Sequence, residues 1–584
     1  MKNGKMNHST NPTEEKRPRN LARLPGWSAE KFGDLPALTS VDGTSYTYPE
    51  LSDAARHVAA MLHLYGLGRG DRVAILSENN PHWGITYFGI LASGAATVPI
   101  LPDFRDSEAV NILDHSKARV LFISGKKLET FEETLPSCVE LAILMDDFSV
   151  LEINNGTMAG AEKAPGKLVK PERIQDQDAQ DQALQKLDLP DMEPGDLASI
   201  IYTSGTTGRS KGVMLSGENI LSNAFHSGSI HKVLPGDRFL SMLPLAHTYE
   251  CTIGMVVPLL NGARIHYIDR LPTASYLGPI LRELKPTTML TVPLIIEKIY
   301  RAKIQPALYG SRMVRQLMKI GPVRKALSRK AAGKLEQFFG GELRFFGIGG
   351  APLAPDVEKF LIEGGFPYAI GYGLTETSPM IAGFGPEAAV YRSVGTVMES
   401  VQVRIDQPDP VTGEGEILAR GPNVMMGYYK DEETTSQVFT DDGWFRTGDL
   451  GYIDPRGIIY IRGRLKNMIL GPNGENIYPE EIEAVINSRE YVSESLVMQY
   501  KGKLVARVHL KMELLEERVQ HLKENASDVQ HHLQEKAEEV LEELLVQVNR
   551  HVARNAQLHR MVLQAHPFEK TPTQKIKRFL YRAL

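Results

Sequence analysis

The sequence predicts an α/β protein with mainly parallel sheets, and two observations support this prediction. Helix-length segments with periodic apolar residues alternate with short apolar strands over residues 27–145. Strands that are separated by helix-length segments imply right-handed crossovers and parallel pairing. Of the 584 residues, 42% are hydrophobic and 23% are charged, a balance that is typical of globular proteins and excludes a disordered chain or a collagen-like fibre.

Individual elements follow from the same periodicity. Helices are predicted at residues 48–65 and 87–94, and buried strands at 72–76, 96–100, 119–124 and 196–202. The polar stretch 146–193 is predicted to be an exposed insertion, and we assign no function to it. Near the C-terminus the pattern predicts two strands over 494–510 with a turn at 501–503, followed by a charged helical hairpin over 513–551 with a break near 525–527.

Length, charge and cysteine content restrict the function classes. A chain of 584 residues is long enough for about four domain-sized units. Its 66 Lys and Arg against 71 Asp and Glu give a net charge of −5, so no overall basic excess is available to bind nucleic acid. Two cysteines, Cys138 and Cys251, cannot form a disulfide framework and fit a reducing compartment. The first twenty residues lack the apolar core of a secretory signal, so we expect a flexible tail over 1–20 and a cytoplasmic protein.

The segment 202–212, YTSGTTGRSKG, is the strongest local signal. It follows a predicted strand and combines glycines, hydroxyls and a lysine, which together suit a polyphosphate. It is not a Walker A loop, because two residues separate Gly208 from Lys211. Eleven consecutive residues of this kind favour phosphate binding over an ordinary flexible turn.

This segment resembles the phosphate loop of the adenylate-forming (AMP-binding) superfamily, which includes acyl-CoA synthetases, firefly luciferases and the adenylation domains of peptide synthetases. Four further motifs of that family follow in the family's order. They are GYGLTETSP at 371–379, RTGD at 446–449, GRLK at 463–466 continuing to YPEEIE at 478–483, and KTPTQKIK at 570–577. The five ordered matches cover nearly the whole chain.

The resemblance implies a division of the chain into two moving parts. A large N-terminal body of several α/β subdomains would occupy residues 21–462, with a hinge at 463–466. A small mobile C-terminal α+β domain, lengthened by the helical insertion, would occupy residues 467–584. Lys466 would be the hinge residue about which this domain turns between the two half-reactions.

The resemblance also implies the roles of individual residues. Lys575 would bridge the incoming carboxylate and ATP, although Gln574 stands before it where the family usually has Gly. Glu376 and Thr203 would hold Mg²⁺, with Thr375 beside them as a further catalytic residue. Tyr372 would lie against the adenine ring. The predicted nucleotide-binding set is Thr203, Ser204, Gly205, Thr206, Thr207, Gly208, Lys211, Gly349, Gly371, Tyr372, Asp449 and Arg464, of which the last two would contact the ribose.

Two further segments resemble the long-chain acyl-CoA synthetase branch, namely LPLAHTYE at 243–250 and the stretch 291–300. Peptide-synthetase adenylation domains keep an aspartate in the first region, and the absence of one between residues 241 and 262 argues against an amino-acid substrate. The predicted acyl pocket includes His247, Gly350 and Ala351, although His247 could equally be a structural residue. No HExxH motif or clustered Cys and His predicts a zinc site.

The predicted reaction is the ATP-dependent activation of a fatty acid to an acyl adenylate and its transfer to CoA, giving acyl-CoA, AMP and pyrophosphate. ATP and CoA are the co-substrates and Mg²⁺ is the expected metal. Two alternatives stay open: an acyl-AMP ligase that loads a carrier-protein thiol, and a lipid-binding pseudoenzyme. The acyl chain length, a homodimer and peripheral contact with a membrane are left open as well, and no polybasic patch points to a membrane.

Overall fold

The computed structural model describes residues 17–151, 153–154, 157–158, 192–203, 210–268, 270, 273–471, 475–520, 526–571 and 575–581. Six residues of the predicted phosphate loop lie outside the described residues: Ser204, Gly205, Thr206, Thr207, Gly208 and Arg209. Gln574 and most of the predicted insertion lie outside them too.

Two large sheets form the body. The first sheet has nine strands, in the order Thr396–Val397, Met380–Phe384, Tyr368–Gly373, Phe345–Ile348, Thr288–Thr291, Arg238–Ser241, Arg264–Tyr267, Pro36–Ser40 and Ser45–Thr47. The second sheet has eight, in the order Gly427–Tyr428, Lys211–Ser216, Leu197–Thr203, Ala96–Ile100, Arg72–Leu76, Val120–Ile123, Leu141–Leu144 and Val150–Leu151. Both sheets are parallel at their centres and antiparallel at their edges, so the predicted α/β class with mainly parallel sheets is confirmed.

Four smaller sheets contain the other paired strands of the described residues. An antiparallel sheet contains Gln402–Asp406, Gly415–Arg420, Phe445–Ile453 and Ile459–Arg464. Towards the C-terminus, the hairpin Ile469–Leu470 and Asn476–Ile477 precedes a sheet of Val492–Tyr500, Lys503–Leu510 and Arg560–Leu563. A short hairpin, Ile153–Asn154 with Thr157–Met158, lies in the predicted insertion.

The helices cover the sheets. The helices of the described residues are Leu24–Phe32, Tyr48–Leu64, Pro81–Ala92, Asp106–Ser116, Gly125–Thr130, Gly217–His226, Tyr249–Val256, Val257–Asn261, Ala274–Leu284, Pro293–Ile299, Tyr300–Ile304, Gln305–Tyr309, Arg312–Leu317, Gly321–Phe338, Pro355–Gly364, Glu432–Val438, Pro479–Asn487, Met512–Gln520 and Ala526–Asn549. Tyr249–Val256 and Tyr300–Ile304 are π-helical. Short 3₁₀ turns lie at Leu21–Arg23, Ser227–Ser229, Thr375–Thr377, Pro386–Ala388, Arg554–Ala556 and Arg578–Tyr581. Within these bounds, none of the helices combines the length and apolar character needed to cross a bilayer.

One predicted helix begins earlier than its pattern indicates. The prediction of 87–94 is wrong at its start, because the helix runs over Pro81–Ala92. The Asn80 side chain accepts a hydrogen bond from the Trp83 backbone N–H and so caps its N-terminus. The helix contacts strands of both large sheets and is buried on almost every side. A helix that is buried all round lacks the apolar stripe from which periodicity identifies a boundary.

The flexible tail predicted over residues 1–20 does not include residues 17–20, which are ordered against the body. Arg17 forms an ion pair with Glu218, and Asn20 is buried. The Asn20 side chain donates to the Met192 carbonyl at 3.2 Å and accepts from the Arg23 N–H at 3.0 Å. Residues 17–20 therefore pack against the body, while 1–16 lie outside the described residues.

The C-terminal part has its own hydrophobic core. Buried residues between Ile477 and Leu558 form one cluster that is separate from the clusters of the body. The helix Ala526–Asn549 contributes an apolar stripe to it, as the periodicity predicts for a hairpin packed on its own sheet. The stripe consists of Leu533, Ala537, Val540, Leu541, Leu544 and Val548.

Candidate active site

Three neighbouring parallel strands of the first sheet end at the same edge. They end at Thr291, Ile348 and Gly373. Ligands of open α/β sheets bind beyond the carboxyl ends of their strands. Gly349, Gly350 and Ala351 follow the second strand, Gly371 and Tyr372 close the third, and Thr375 and Glu376 come directly after it. The fold therefore brings the predicted nucleotide and acyl residues of the first sheet to one edge.

Asp449 has a partner on each of its carboxylate oxygens. Tyr372 Oη donates to Asp449 Oδ2 at 2.8 Å, and Arg464 Nε lies 2.8 Å from Oδ1. Asp449 is opposite Arg464 in antiparallel register and is only 4% exposed. Burial raises the pKa of Asp449, while Arg464, the Tyr372 hydrogen bond and Lys575 act to lower it. Each oxygen keeps a second lone pair, so the carboxylate can still accept the two hydroxyls of a ribose.

Glu376 lies on a loop that is fixed from several sides. The side-chain amides of Asn223 and Asn423 both donate to the carbonyls of Thr377 and Met380, at 2.8 to 3.1 Å. The Met425 N–H donates to the Glu376 carbonyl at 2.9 Å. These bonds position the Glu376 backbone, so its carboxylate is pre-organised rather than mobile.

Tyr428 connects Glu376 to the end of the phosphate-loop hairpin. Tyr428 Oη donates to Glu376 Oε1 at 2.8 Å, and Lys211 Nζ lies 4.9 Å from the centre of the Tyr428 ring. Lys211 and Thr203 are paired at the loop end of the hairpin. Tyr428 could not be predicted from the sequence, because a tyrosine in a two-residue edge strand carries no recognisable motif.

The donor set at this point fits a magnesium nucleotide. Among the described residues, no group of three or more His, Cys, Asp or Glu side chains is arranged around a metal position. The strand that begins at Lys211 contacts the Thr375–Thr377 turn, which brings the hairpin to Glu376. Mg²⁺ is usually bound by one or two carboxylates together with substrate phosphates. A single carboxylate, Glu376, therefore suits a metal that enters with ATP.

Lys575 reaches the same cleft from the C-terminal part. It lies at the end of a loop closed by the Lys570–Ile576 bridge, and its N–H donates to Thr571 Oγ1 at 3.2 Å. The residue is exposed to water in the cleft, yet the protein around its ammonium group lowers its pKa. The charge of Arg464 lowers the pKa further, whereas Asp449 and Glu376 raise it. These four charged residues therefore lie within electrostatic range of one another.

His247 faces this cluster as a neutral base. Its Nδ1 accepts a hydrogen bond from the Tyr249 N–H at 3.2 Å. Burial, and then the charge of Lys575, lower the pKa of His247 to about 4. At neutral pH the imidazole is therefore uncharged and can lie beside an acyl group without repelling Lys575.

A buried network supports the segment that carries His247. Ser241 Oγ donates to Glu250 Oε1 at 2.6 Å and accepts from Asn79 Nδ2 at 3.0 Å. Asn79 also donates to the Leu243 carbonyl at 2.6 Å and accepts from the Leu245 N–H at 2.8 Å. Glu250 is 1% exposed, and burial raises its pKa to about 8. This network could not be predicted from the sequence, since Asn79 is far from Ser241 and Glu250 in the chain.

An apolar cavity lies behind the cleft. It is lined by Ser227, Ile230, His231, Val233, Phe239, Ile253, Val257, Thr288, Leu290, Phe345 and Met380. The Tyr249 ring packs on Gly349, where an added Cβ would lie 3.1 Å from Tyr249 Cε1. A Cβ on Gly347 would lie 3.0 Å from Tyr249 Oη and 2.8 Å from both Leu290 and Phe345, two residues of the cavity wall. Tyr249 therefore lies between the predicted acyl residues and the cavity.

The predicted hinge is an exposed turn, and residues before and after it form hydrogen bonds with the body. Lys466 is exposed, and the Leu465 N–H donates to the Gly448 carbonyl at 2.8 Å. Glu414 of the body accepts hydrogen bonds from Arg462 Nε at 2.7 Å and from Tyr478 Oη at 2.8 Å. Tyr478 begins the C-terminal side of the interface, so Glu414 ties the two parts together in this orientation.

Comparison with known proteins agrees with the motifs. The family model described as AMP-binding enzyme matches residues 26–429, more than half of the chain. The chain belongs to this family. It is 30% identical over 503 residues to the long-chain-fatty-acid–CoA ligase heimdall of Drosophila melanogaster, spanning 79% of this chain and 71% of that protein. It is also 30% identical over 484 residues to the long-chain-fatty-acid–CoA ligase FadD15 of Mycobacterium bovis, spanning 78% of this chain and 76% of that protein.

The fold is also found among solved structures. O-succinylbenzoate coenzyme A synthetase from Bacillus subtilis, in complex with ATP and magnesium ion, has a TM-score of 0.68 at 21% identity over 96% of this chain and 99% of that one. The predicted membership of the adenylate-forming superfamily, in its long-chain acyl-CoA synthetase branch, is thus confirmed. The predicted architecture of a large body and a smaller C-terminal domain is confirmed as well.

Proposed function

We propose that this chain activates a long-chain fatty acid with MgATP and transfers the acyl group to CoA. The observation that carries the proposal is the convergence of Lys575 with Glu376, Asp449 and His247, from two separately folded parts, at one cleft. A carboxylate and ATP are both anionic, so their reaction needs cations where charge accumulates. Lys575 and Lys211 supply such cations.

In the first half-reaction, a carboxylate oxygen of the fatty acid attacks the α-phosphorus of ATP. The bond to the pyrophosphate oxygen breaks and an acyl adenylate forms. We assign to Lys575 the contact with both the carboxylate and the α-phosphate. Thr203, Lys211 and the loop between them would hold the phosphates, and Asp449 and Arg464 the ribose. Mg²⁺ enters with ATP, and Glu376 and Thr203 would contact it.

In the second half-reaction, the CoA sulfur attacks the acyl carbon and the bond to the AMP oxygen breaks. The thiol proton leaves to solvent, and AMP departs as the leaving group. Adenylation is needed because a free carboxylate has no acceptable leaving group. Rotation about Lys466 would withdraw Lys575 and bring another face of the C-terminal part to the adenylate.

The cavity supports an extended apolar acyl chain as substrate. Its wall is mostly aliphatic and aromatic, and His231 stacks on Phe345 with ring centres 4.2 Å apart. Burial and the charge of Arg344 lower the pKa of His231 to about 4, so it is neutral at physiological pH. This neutral, apolar lining suits a hydrocarbon tail, and the cavity, about 30 Å³ in volume, would have to widen to admit a long one. Cys138 and Cys251 carry free thiols, which supports a reducing compartment such as the cytoplasm.

The test separates the two half-reactions. Lys575→Ala is expected to lower ATP–pyrophosphate exchange with a fatty acid by about a hundredfold or more, because one cation at the developing charge is lost. The same variant is expected to convert supplied acyl adenylate and CoA to thioester at nearly the wild-type rate. Lys577→Ala, in the same basic run, is the matched control and should leave both rates unchanged. Equal loss of both half-reactions in Lys575→Ala would overturn the assignment.

A further inference from the structure

We propose that residues 298–335 form a docking surface for an anionic lipid bilayer, which we call the cationic segment. Between Glu297 and Glu336 the chain has eleven Lys and Arg residues and no Asp or Glu. This stretch of 38 residues therefore holds one sixth of the 66 basic residues in a chain whose net charge is −5. The expectation that the chain has no polybasic patch is wrong on this count.

Nine of the eleven cations are available to an external partner. Arg301 is paired with Asp356 and Arg324 with Glu363. The other nine are exposed, and none of them forms an ion pair with a residue that the structure describes. They are Lys298, Lys303, Arg312, Arg315, Lys319, Lys325, Arg329, Lys330 and Lys334. Such a density of unpaired charge creates a local positive potential that the acidic remainder of the chain does not cancel at short range.

Exposed apolar side chains lie among these cations. Met313 is 71% exposed, Ile320 52% and Leu317 37%. Met313 and Leu317 are four residues apart on the helix Arg312–Leu317 and so share one face. Leu308 and Met318 are buried in a core cluster of the body and hold the segment in place. A surface that combines cations with protruding apolar side chains matches the interface of a bilayer, where headgroups are charged and the layer below is apolar.

The cationic segment begins where the predicted acyl pocket wall ends. Val292 lies beside Gly350, 3.8 Å from the position of an added Cβ, and the helix Pro293–Ile299 starts at the next residue. Glu297 Oε1 accepts a hydrogen bond from the Ala354 N–H at 2.8 Å, which ties that helix to the loop after Ala351. A bilayer bound to the cationic segment would thus lie near the acyl side of the cleft. An acidic protein or a nucleic acid would satisfy the cations but not the apolar side chains, so we favour lipid.

Vesicle sedimentation of the full chain tests the proposal. The wild-type chain is expected to bind vesicles of phosphatidylcholine mixed with phosphatidylglycerol, to bind phosphatidylcholine alone at least tenfold more weakly, and to lose affinity at high salt. A charge variant is expected to bind the anionic vesicles about a hundredfold more weakly, at the usual contribution of each surface cation. It carries Arg312→Ser, Lys319→Ser and Lys325→Ser.

Two further variants keep the test specific. An apolar variant is expected to bind more weakly at every salt concentration while keeping the salt dependence; it carries Met313→Ser, Leu317→Ser and Ile320→Ser. A control variant removes three exposed cations elsewhere and should bind like the wild type; it carries Arg56→Ser, Lys126→Ser and Lys501→Ser. The proposal is overturned if the control variant weakens vesicle binding as much as the charge variant does. It is also overturned if the wild type fails to bind anionic vesicles, even if the chain binds DNA through the same cations. Vesicle binding needs no turnover, so its outcome is independent of the proposed function.

Discussion

Tyr428 shows how one side chain can couple two parts of the nucleotide site. Tyr428→Phe removes the hydroxyl that donates to Glu376 but keeps the ring beneath Lys211. A hydrogen bond to a charged acceptor contributes about 1.5–3 kcal/mol, so kcat/KM for MgATP is expected to fall by at least about tenfold. The measurement is ATP–pyrophosphate exchange at varied MgATP.

Two companion variants separate the hydroxyl from the ring. Tyr428→Leu is expected to lose a further few-fold in kcat/KM, because Lys211 then lacks its aromatic contact. Tyr429→Phe is the matched control, since Tyr429 Oη donates to the distant Ser116 carbonyl at 3.4 Å. Wild-type kinetics for Tyr428→Phe would show that Glu376 does not depend on this bond.

Glu250 gives a pH dependence with a definite sign. Its pKa is about 8 in the folded chain against 4.5 for an ordinary glutamate, so the folded state holds the proton more tightly than the unfolded state. Its contribution is therefore most favourable below about pH 4.5, and the free energy of unfolding falls as the pH rises from there to about 8. Glu250→Gln keeps an oxygen for Ser241 and cannot ionise. Urea unfolding is expected to show a weaker decline in stability over this pH range and higher stability than wild type at pH 8.

Glu250→Ala provides the contrast to the glutamine variant. It leaves the Ser241 hydroxyl without its acceptor and opens space next to Gly254, so a loss of about 2–4 kcal/mol in the free energy of unfolding is expected at pH 6. If the glutamine variant kept the full pH dependence of the wild type, another group would have to cause it.

At the scale of elements, the sequence predicts the bounds of individual strands but not the contacts between segments that are distant in the chain. The strands Arg72–Leu76 and Ala96–Ile100 have the predicted bounds, because short buried runs between turn residues are recognisable without a partner. The pocket wall is different. Tyr249 becomes part of it only because Gly347 and Gly349, about a hundred residues later in the chain, leave room for its ring. The periodicity of apolar residues concerns neighbours in the sequence, so it cannot predict such a contact between distant segments.

The helix that begins at Tyr249 sets the boundary between the cleft and the cavity. Tyr249, Ile253 and Val257 are spaced by four residues, and the last two line the cavity. Tyr249→Ala is expected to raise the preference for longer acids, measured as kcat/KM over a series from six to eighteen carbons. Each newly buried methylene contributes about 0.8 kcal/mol, or roughly a fourfold gain per carbon. Tyr249→Phe keeps the ring and should leave the series unchanged, and an unshifted series for Tyr249→Ala would place the acyl chain elsewhere.

At the scale of the molecule, the motifs predict which residues meet but not how they are held. The motif residues Glu376, Asp449 and Lys575 are near one another, as the family resemblance implies. Their supports are ordinary residues, such as Asn223, Asn423 and Glu414, whose bonds depend on the assembled fold. The orientation of the C-terminal part also depends on the assembled fold, because a small polar interface rather than a motif determines it.

That interface makes the balance between the two half-reactions testable. Tyr478 Oη donates to Glu414 in the orientation that brings Lys575 into the cleft, and Arg462 also lies between Glu414 and Glu481. Tyr478→Phe removes a hydrogen bond that forms only in this orientation. The fraction of molecules in this orientation should therefore fall. We expect the adenylation rate to drop about three- to tenfold, within the about 0.5–1.5 kcal/mol that an intramolecular hydrogen bond usually contributes. The thioester-forming rate from supplied acyl adenylate is expected to stay constant or rise.

The control for this variant lies in the same part of the chain. Tyr500, whose ring contacts Lys501, ends the strand Val492–Tyr500, so Tyr500→Phe should leave both rates unchanged. Single-turnover measurements of each half-reaction distinguish a shift in orientation from general damage, because damage lowers both rates together. If Tyr478→Phe keeps the wild-type free energy of unfolding, a parallel fall of both rates would mean that the orientation seen here is used throughout the reaction, and that Lys466 is not a hinge.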